Sequence, residues 1–568
     1  MIPEERERIY SEEYADLLIE YNGDFTVFDE FPNATVQIIN YIYAVVRIPV
    51  ELVNPLIITE RGYSVLPFLL GLVSQASLEA SGVLRIRGIP GFDLRGQGVL
   101  IGIIDTGIDY LNPIFQYADN TTRIASIWDQ TIISDDFPPD FGYGTVYSKE
   151  QINEALQSEN PLQIVPSMDL IGHGTMLAGI AGGNEVADSN FYGVAPEAEF
   201  VVVKLKPAKQ FLKNFFFISE DAVAYQSTDV LFGIQYLLNE TVRLDRPMAI
   251  CMALGSSMGG HDGRGILANY LSLISSRQGV AVLCAAGNEG NARRHYFGRV
   301  DQNIGYDTVE LNVSEGETGF TMEIWGQSPS IFSVDITTPT GEYVPRIAAS
   351  LDENREITFV LEQTVIYLDY IMVESQSGDQ LILIRFQNPT SGIWRFNVYE
   401  RGDINLGFHI WLPMANFISN NTYFIRPDPY TTVLALGNAL VPITVTAYNH
   451  EDDSLYLDAS RGYTRTGRIK PEIAAPGVGI IGPTLEQGFT EYTGTSVATA
   501  HTTGVTALML EWGIVRGNLP GLSTVEIKKL FIRGARRDID IVYPNRDWGY
   551  GILDIYNVFD RLRTGAVV

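Results

Sequence analysis

Three short stretches carry the residue types that could do chemistry. Val99–Gly107 (VLIGIIDTG) is an apolar strand that ends in Asp105 and a tight turn. In a parallel α/β sheet, the carboxyl end of a strand is where ligands bind. Gly172-His173-Gly174-Thr175 opens a helix, and its flanking glycines allow close backbone approach. Gly494-Thr495-Ser496-Val497-Ala498 puts a serine at a helix start, where backbone N–H groups and the positive dipole end favour developing negative charge. Hydrolysis of a peptide bond needs a serine oxygen, a histidine to take its proton and a buried carboxylate to fix that histidine's tautomer. A fourth stretch, Ala285–Gly290 (AAGNEG), delivers Asn288 at a strand end. Its amide and the Ser496 N–H can donate together to an oxyanion. Taken singly, Asp-Thr-Gly reads equally as a turn or metal site, Gly-His-Gly-Thr as a satisfied helix-start histidine, and Gly-Thr-Ser as an N-cap. Four together, each at a strand end or helix start, point to one nucleophilic site.

The elements that must position these residues follow from texture. From Val99 to Arg299, all-apolar runs (Val99–Ile104, Phe200–Val203, Ala249–Leu254, Val280–Ala286) alternate with helical patterns (Thr175–Gly182, Ser227–Leu238, Ile266–Arg277). Strands apolar on both faces and alternating with helices predict a doubly wound parallel sheet covered on both sides. From about 300 to 440 the pattern becomes alternating strands (Thr308–Val313, Phe320–Trp325, Ile357–Leu361, Leu381–Phe386) separated by turn clusters such as Ser314-Glu315-Gly316. That is an inserted antiparallel β-sandwich, jelly-roll-like in character. The α/β texture returns over 441–568, with a long helix expected from Ser496 to Trp512. Residues 1–97 form an α+β unit that combines a charged helical start (Glu4–Tyr21), an apolar run (Val36–Val50) and an exposed glycine-spaced connector (Gly88–Gly98). The expected division is therefore 1–97, 98–299, 300–440 and 441–568.

Composition excludes several functions. With 39 basic and 68 acidic residues the formal charge is −29, a field that repels phosphate backbones and argues against nucleic acid as partner. Cys251 and Cys284 sit in apolar runs and read as small buried hydrophobes. His261, His295, His409 and His450 show no ligand spacing and read as surface residues. His501, on another face of the Ser496 helix, reads as structural. No cofactor is required for the chemistry and no metal set is apparent; the acidic loop Ser134–Asp140 reads as solvated rather than calcium-binding. No segment reaches eighteen uninterrupted apolar residues, so no membrane span is expected. Met1–Glu13 lacks the apolar stretch of a signal peptide, so cytoplasmic synthesis is expected.

These motifs, with Asp169–Gly179 (DLIGHGTMLAG), Tyr192–Pro196 (YGVAP), Lys470–Val478 (KPEIAAPGV) and Trp548–Leu553 (WGYGIL), resemble the subtilase family over most of the chain. The resemblance implies a serine endopeptidase in which Asp105, His173 and Ser496 are acid, base and nucleophile. Asn288 would complete the oxyanion hole, and Leu254, Gly255, Ala286 and Gly287 would bind substrate, the Ala253–Gly255 edge pairing with its backbone. One departure lies in the last helix, where Ala500 stands in place of the family's proline before His501. A narrower likeness, on Arg123–Thr131 (RIASIWDQT), Val203–Phe211 (VKLKPAKQF), Ala224–Leu237 (AYQSTDVLFGIQYL) and Tyr543–Gly551 (YPNRDWGYG), is to the Csp germination proteases of anaerobic spore-formers. It implies limited proteolysis of a precursor of a spore-cortex hydrolase, and a spore-associated protein. Some Csp relatives have lost triad residues and act as silent signalling scaffolds; here the triad is whole. Residues 1–97 would then be a prodomain that templates a slow-folding parallel sheet and stays bound as inhibitor. Autocleavage is expected near Arg95–Gly98, beside Gln97.

Overall fold

The computed structural model describes residues 3–32, 34–53, 57–72, 81, 83, 92–189, 191–349, 354–402 and 404–564. Its central sheet has the order Ser454–Leu455, Ile443–Asn449, Val280–Ala285, Met248–Met252, Leu100–Asp105, Glu199–Lys204, Ile124–Asp129, Thr145–Ser148. Ile473–Pro476 pairs beside Ile443–Asn449. The interior pairings are parallel, and the two edge strands Thr145–Ser148 and Ser454–Leu455 run antiparallel. Every residue of Leu100–Asp105 is buried, which requires cover on both faces. Ile101 and Ile103 pack with the helices His173–Gly182 and Thr495–Leu510, while Leu100 and Ile104 pack with Ser227–Leu244 and Ile266–Ile274. Cys251 and Cys284 are buried in adjacent strands as free thiols, and burial pushes both up to about 12.

The helix Thr495–Leu510 is buried along its whole length. A buried hydroxyl must find a partner. Thr499, Thr502 and Thr503 each donate to the carbonyl four residues back, at 2.7–2.8 Å. A β-carbon on Gly504 would stand 2.4 Å from the Ala181 carbonyl oxygen. The two helices that begin with His173 and Thr495 therefore meet backbone to backbone.

The N-terminal unit differs from the expected helical start. Its helix runs only Pro3–Tyr10, and Tyr14–Glu20 is a strand paired antiparallel with Tyr43–Pro49, which also pairs with Thr35–Ile38. Residues 15–19 are all buried, so tertiary pairing overrides local propensity there. Ile9, Leu18 and Val45 join the cluster formed by the helices Ser227–Leu244 and Ile266–Ile274. The expected connector Gly88–Gly98 lies partly outside the described residues.

Among the described residues, eleven antiparallel strands from His295 to Phe424 form two sheets. One has the order His295–Gly298, Phe408–Trp411, Gly319–Gly326, Gln380–Gln387, Val365–Ile371, Asn354–Thr358. The other has Tyr343–Ile347, Ile331–Thr337, Gly392–Arg401, Asp307–Val313, Tyr423–Phe424. Both contribute to one apolar core, which includes Val309, Phe320, Ile324, Val334, Trp394 and Phe396.

Three histidines expected at the surface sit instead where these sheets meet the parallel-sheet domain. His261 stacks on Trp411 with ring centroids 4.1 Å apart, and His295 and His409 stack on the same indole at 4.9 and 5.2 Å. Spacing could not reveal this, because the rings come from a loop and two strands far apart in sequence. Burial holds His261 down to about 4 and His295 down to about 3, below the ordinary value of about 6.5. The folded chain keeps them neutral where the unfolded chain takes up protons. Their contribution to stability is therefore full above about pH 6.5 and is lost as pH drops toward 4, at up to about 1.4 kcal/mol per pH unit for each histidine. Thermal midpoints measured from pH 7.5 to 4.5 should show this descent, and His295→Gln should make it shallower.

Candidate active site

Asp105 closes its strand fully buried. Its Oδ1 accepts the Thr106 N–H at 2.8 Å and lies 2.8 Å from His173 Nδ1. With Nδ1 turned to the carboxylate, Nε2 is the nitrogen placed for proton transfer. The helix carrying His173 is held at its first turn by Asp169. One carboxylate oxygen of Asp169 accepts the Ile171 and Gly172 N–H groups (3.0 and 2.8 Å), and the other accepts the Thr175 N–H and hydroxyl (2.9 and 2.8 Å). An acid at a helix start satisfies exposed donors and complements the dipole. Gly174 donates its N–H to Thr106 Oγ1 at 2.9 Å, and a β-carbon there would stand 2.2 Å from the Gly107 carbonyl oxygen.

Ser496 is the second residue of the Thr495–Leu510 helix, entered through Gly494. Its hydroxyl is buried and has no hydrogen-bond partner among the described residues. Thr495, the residue before it, ties this helix to the Asn288 loop. Its N–H and hydroxyl both reach Asn288 Oδ1 at 3.2 Å, and its Oγ1 accepts the Gly287 N–H at 3.0 Å. With its carbonyl side engaged by Thr495, the amide keeps Nδ2 on its opposite side. Asp169 and Thr495 were inside the quoted motifs, yet only the fold reveals their positioning roles; their signal was proximity to His173 and Ser496.

The remaining expected residues divide. Leu254–Gly255 is an edge occupied by the protein itself. The strand Leu69–Leu72 pairs antiparallel with it, Leu72 opposite Leu254 and Gly71 opposite Gly255. The other edge of Leu69–Leu72 pairs with Tyr225–Gln226. Ala286 and Gly287 have their backbone groups engaged: Ala286 with Val445 and Leu434, Gly287 with Ser460 and Thr495. They frame the groove rather than pair along it. Gln97 is not brought to the site. The N–H groups of Arg95, Gly96 and Gln97 all donate to Glu511 Oε2, at 2.8, 2.7 and 3.2 Å. Glu511 follows the far end of the Ser496 helix, about 22 Å away at 1.5 Å per residue. Gln97 also precedes the strand that Asp105 ends. The bond beside it lies at the opposite end of the sheet from Asp105.

His501 is buried, its Nε2 2.5 Å from Ser81 Oγ of the N-terminal region. The loop Ser134–Asp140 is engaged by Arg6, which pairs with Asp135 at 3.2 Å and lies over the Phe137 ring. Among the described residues no three His, Cys, Asp or Glu side chains gather as a metal set, and no helix is long and apolar enough to cross a membrane.

The subtilase family profile matches residues 96–345 and 419–551, which bracket all four chemical residues. The chain belongs to the subtilase family and is a serine peptidase. Among solved structures, the CspB protease of Clostridium perfringens is similar at 30% identity with a TM-score of 0.77, covering 86% of this chain and 97% of that one. Curated relatives include the subtilisin-like protease SBT1.9 of Arabidopsis thaliana, 24% identical over 73% of this chain and 57% of its own length. A PII-type proteinase of Lacticaseibacillus paracasei is 22% identical over 83% of this chain and 26% of its own. The chain thus spans little more than half of the first and about a quarter of the second.

Asn288→Ala should lower kcat about 10²–10³-fold with little change in KM. Asp105→Asn should lower kcat about 10⁴-fold, through loss of the imidazole's tautomer. Steady-state kinetics on a peptide substrate check both.

Proposed function

We propose that this chain is an autoprocessing endopeptidase whose N-terminal unit is a prodomain that lies in the substrate groove and is cut after Leu72, not beside Gln97. The observation that carries this reading is the antiparallel strand Leu69–Leu72 seated on Leu254–Gly255. β-Augmentation on that edge is how a peptide would bind. The cut is expected within a few residues after Leu72. The inserted double sheet and the parallel-sheet domain complete the proposed organisation.

The cut prodomain stays bound as inhibitor. Asp16 is fully buried where the prodomain meets the catalytic domain. It accepts from Arg47 (3.1 Å), Lys209 (2.8 Å) and Gln226 (2.8 Å), and Lys209 and Arg47 hold its carboxyl well below the usual range against the opposing effect of burial. Removing one partner of a buried pair costs about 3–5 kcal/mol. Asp16→Ala should therefore release the N-terminal fragment on size exclusion after processing, while wild type co-elutes with it.

The substrate we propose is a protein precursor cut at a limited number of bonds, a spore-cortex hydrolase zymogen activated in germination. The support is the likeness to the CspB protease, which spans nearly all of that chain. Recombinant wild type should yield a short and a long fragment, Ser496→Ala a single intact band, and mass spectrometry should place the new terminus shortly after Leu72. An uncut wild type would falsify autoprocessing. Incubation with a purified cortex-hydrolase precursor should give one discrete cleavage; general degradation or no cleavage would remove the germination role.

A further inference from the structure

The strand in the groove has two faces, and they touch different domains. Successive side chains of a strand point to opposite sides. Leu70 packs into the cluster containing Tyr225, Val230, Leu254 and Ile266 of the catalytic domain. Leu69, on the opposite face, packs into a cluster containing Trp325, Leu381, Leu383, Trp411, Met414 and Phe417 of the double-sheet insert. Gly71 shares that second face. A β-carbon built on Gly71 would stand 3.1 Å from Met414 Cε, 3.2 Å from Met414 Sδ and 3.4 Å from Phe417 Cζ. Met414 and Phe417 are themselves buried. The groove thus has hydrogen-bonded edges on two sides, the catalytic core as floor, and a roof supplied by the insert.

The roof is fixed to the catalytic machinery. The Ala415 N–H donates to Glu289 Oε1 at 3.0 Å, and the other oxygen of Glu289 pairs with Arg294 at 2.9 Å. Arg294 in turn binds Asn420 at 2.7 Å, and its carbonyl accepts the Leu412 N–H at 3.0 Å. Glu289 directly follows Asn288, so the loop that carries the oxyanion amide also pins the segment 412–420. A pinned wall selects by volume, because close-packed surfaces yield little to an added carbon.

We propose that Met414 and Phe417 determine specificity, restricting this peptidase to segments with glycine, or at most alanine, at the position that pairs with Gly255. The proposal rests on the reading that Leu69–Leu72 occupies the groove as a substrate does. Methionine's terminal carbon can yield the few tenths of an ångström that alanine requires. A branched or longer side chain would have to displace both residues. Leucine is favoured on the floor face, where Leu70 lies.

The chain's own processing tests this in cis. In a cell-free synthesis time course, Gly71→Ala should be cut within about threefold of the wild-type rate and Gly71→Leu at least thirtyfold more slowly. Adding Met414→Ala and Phe417→Ala to Gly71→Leu should speed cutting at least tenfold. Gly71→Leu cut at the wild-type rate, or a block that trimming the roof does not relieve, would overturn the proposal. Because the rescue compares chains that share the same leucine, it remains decisive where leucine also impairs folding. A second arm uses peptides copying residues 66–77, with glycine or leucine at the position of Gly71. On the processed Asp16→Ala chain, freed of its N-terminal fragment, the kcat/KM ratio should exceed tenfold in favour of glycine, and it should fall below threefold when the roof is trimmed on the same background. Equal kcat/KM on the freed chain with its roof intact would sink the roof. A glycine preference in peptides from a chain that never cuts itself would leave the roof standing and remove autoprocessing instead.

Discussion

The helix beginning at His173 must come close enough to the Asp105 strand for its imidazole to meet the carboxylate, and only a residue without a side chain permits that approach. Gly174 sits against the Gly107 carbonyl oxygen, 2.2 Å from where a β-carbon would be. Asp169 prevents the helix start from relaxing away, because its carboxylate gathers four donors from residues 171–175. The helix carrying Ser496 is registered in the same manner, through Gly504 against the Ala181 carbonyl and through Thr495 against Asn288. Side chains from distant parts of the chain are thus located by close backbone approaches, locked by the Asp169 carboxylate and the Asn288 amide oxygen. The parallel sheet supplies the common reference, since Asp105 and the Asn288 loop both leave strands at its carboxyl end.

Charge performs a different task at the interfaces. Asp16 of the N-terminal unit is received by Lys209 and Arg47, beside a second buried pair, Lys206 with Asp229 at 2.7 Å. Such pairs add little net stability compared with apolar packing, but they penalise any other partner that leaves one charge alone. Glu323 joins the insert to its neighbours through neutral donors instead of an ion pair. It accepts from Tyr63 of the N-terminal unit at 2.5 Å, from Gly259 of the catalytic domain at 2.9 Å, and from its own sheet's Trp325 at 2.9 Å. Three parts of the molecule are keyed to one carboxylate.

The parallel strands were legible in the sequence because they are apolar on both faces, and the triad motifs because strand ends and helix starts have strong local signatures. Thr308–Val313, Phe320–Trp325 and Leu381–Phe386 were legible through period-two alternation. What escaped depends on pairing at a distance. Residues 14–20 carry a charged, helix-tolerant composition and become a strand because Tyr43–Pro49 lies beside them. Leu69–Leu72 is too short to stand out as a strand, and it becomes one through the two edges it joins. Gln97 looked like a connector residue in a glycine-spaced stretch, and nothing local reported that Glu511 anchors it at the far end of the sheet. The histidines escaped because an indole in another strand gathers them.

The doubly edged groove has a kinetic consequence. A peptide added to one free sheet edge can peel away in one direction, but here Leu69–Leu70 are held by Tyr225–Gln226 on one side and Gly71–Leu72 by Leu254–Gly255 on the other, so release needs both halves freed in turn. With a lid overhead, lateral escape is closed and lengthwise threading remains. On the reading that a substrate seats as Leu69–Leu72 does, admission would be confined to stretches already extended, and selection would arise in passage, before any bond is broken.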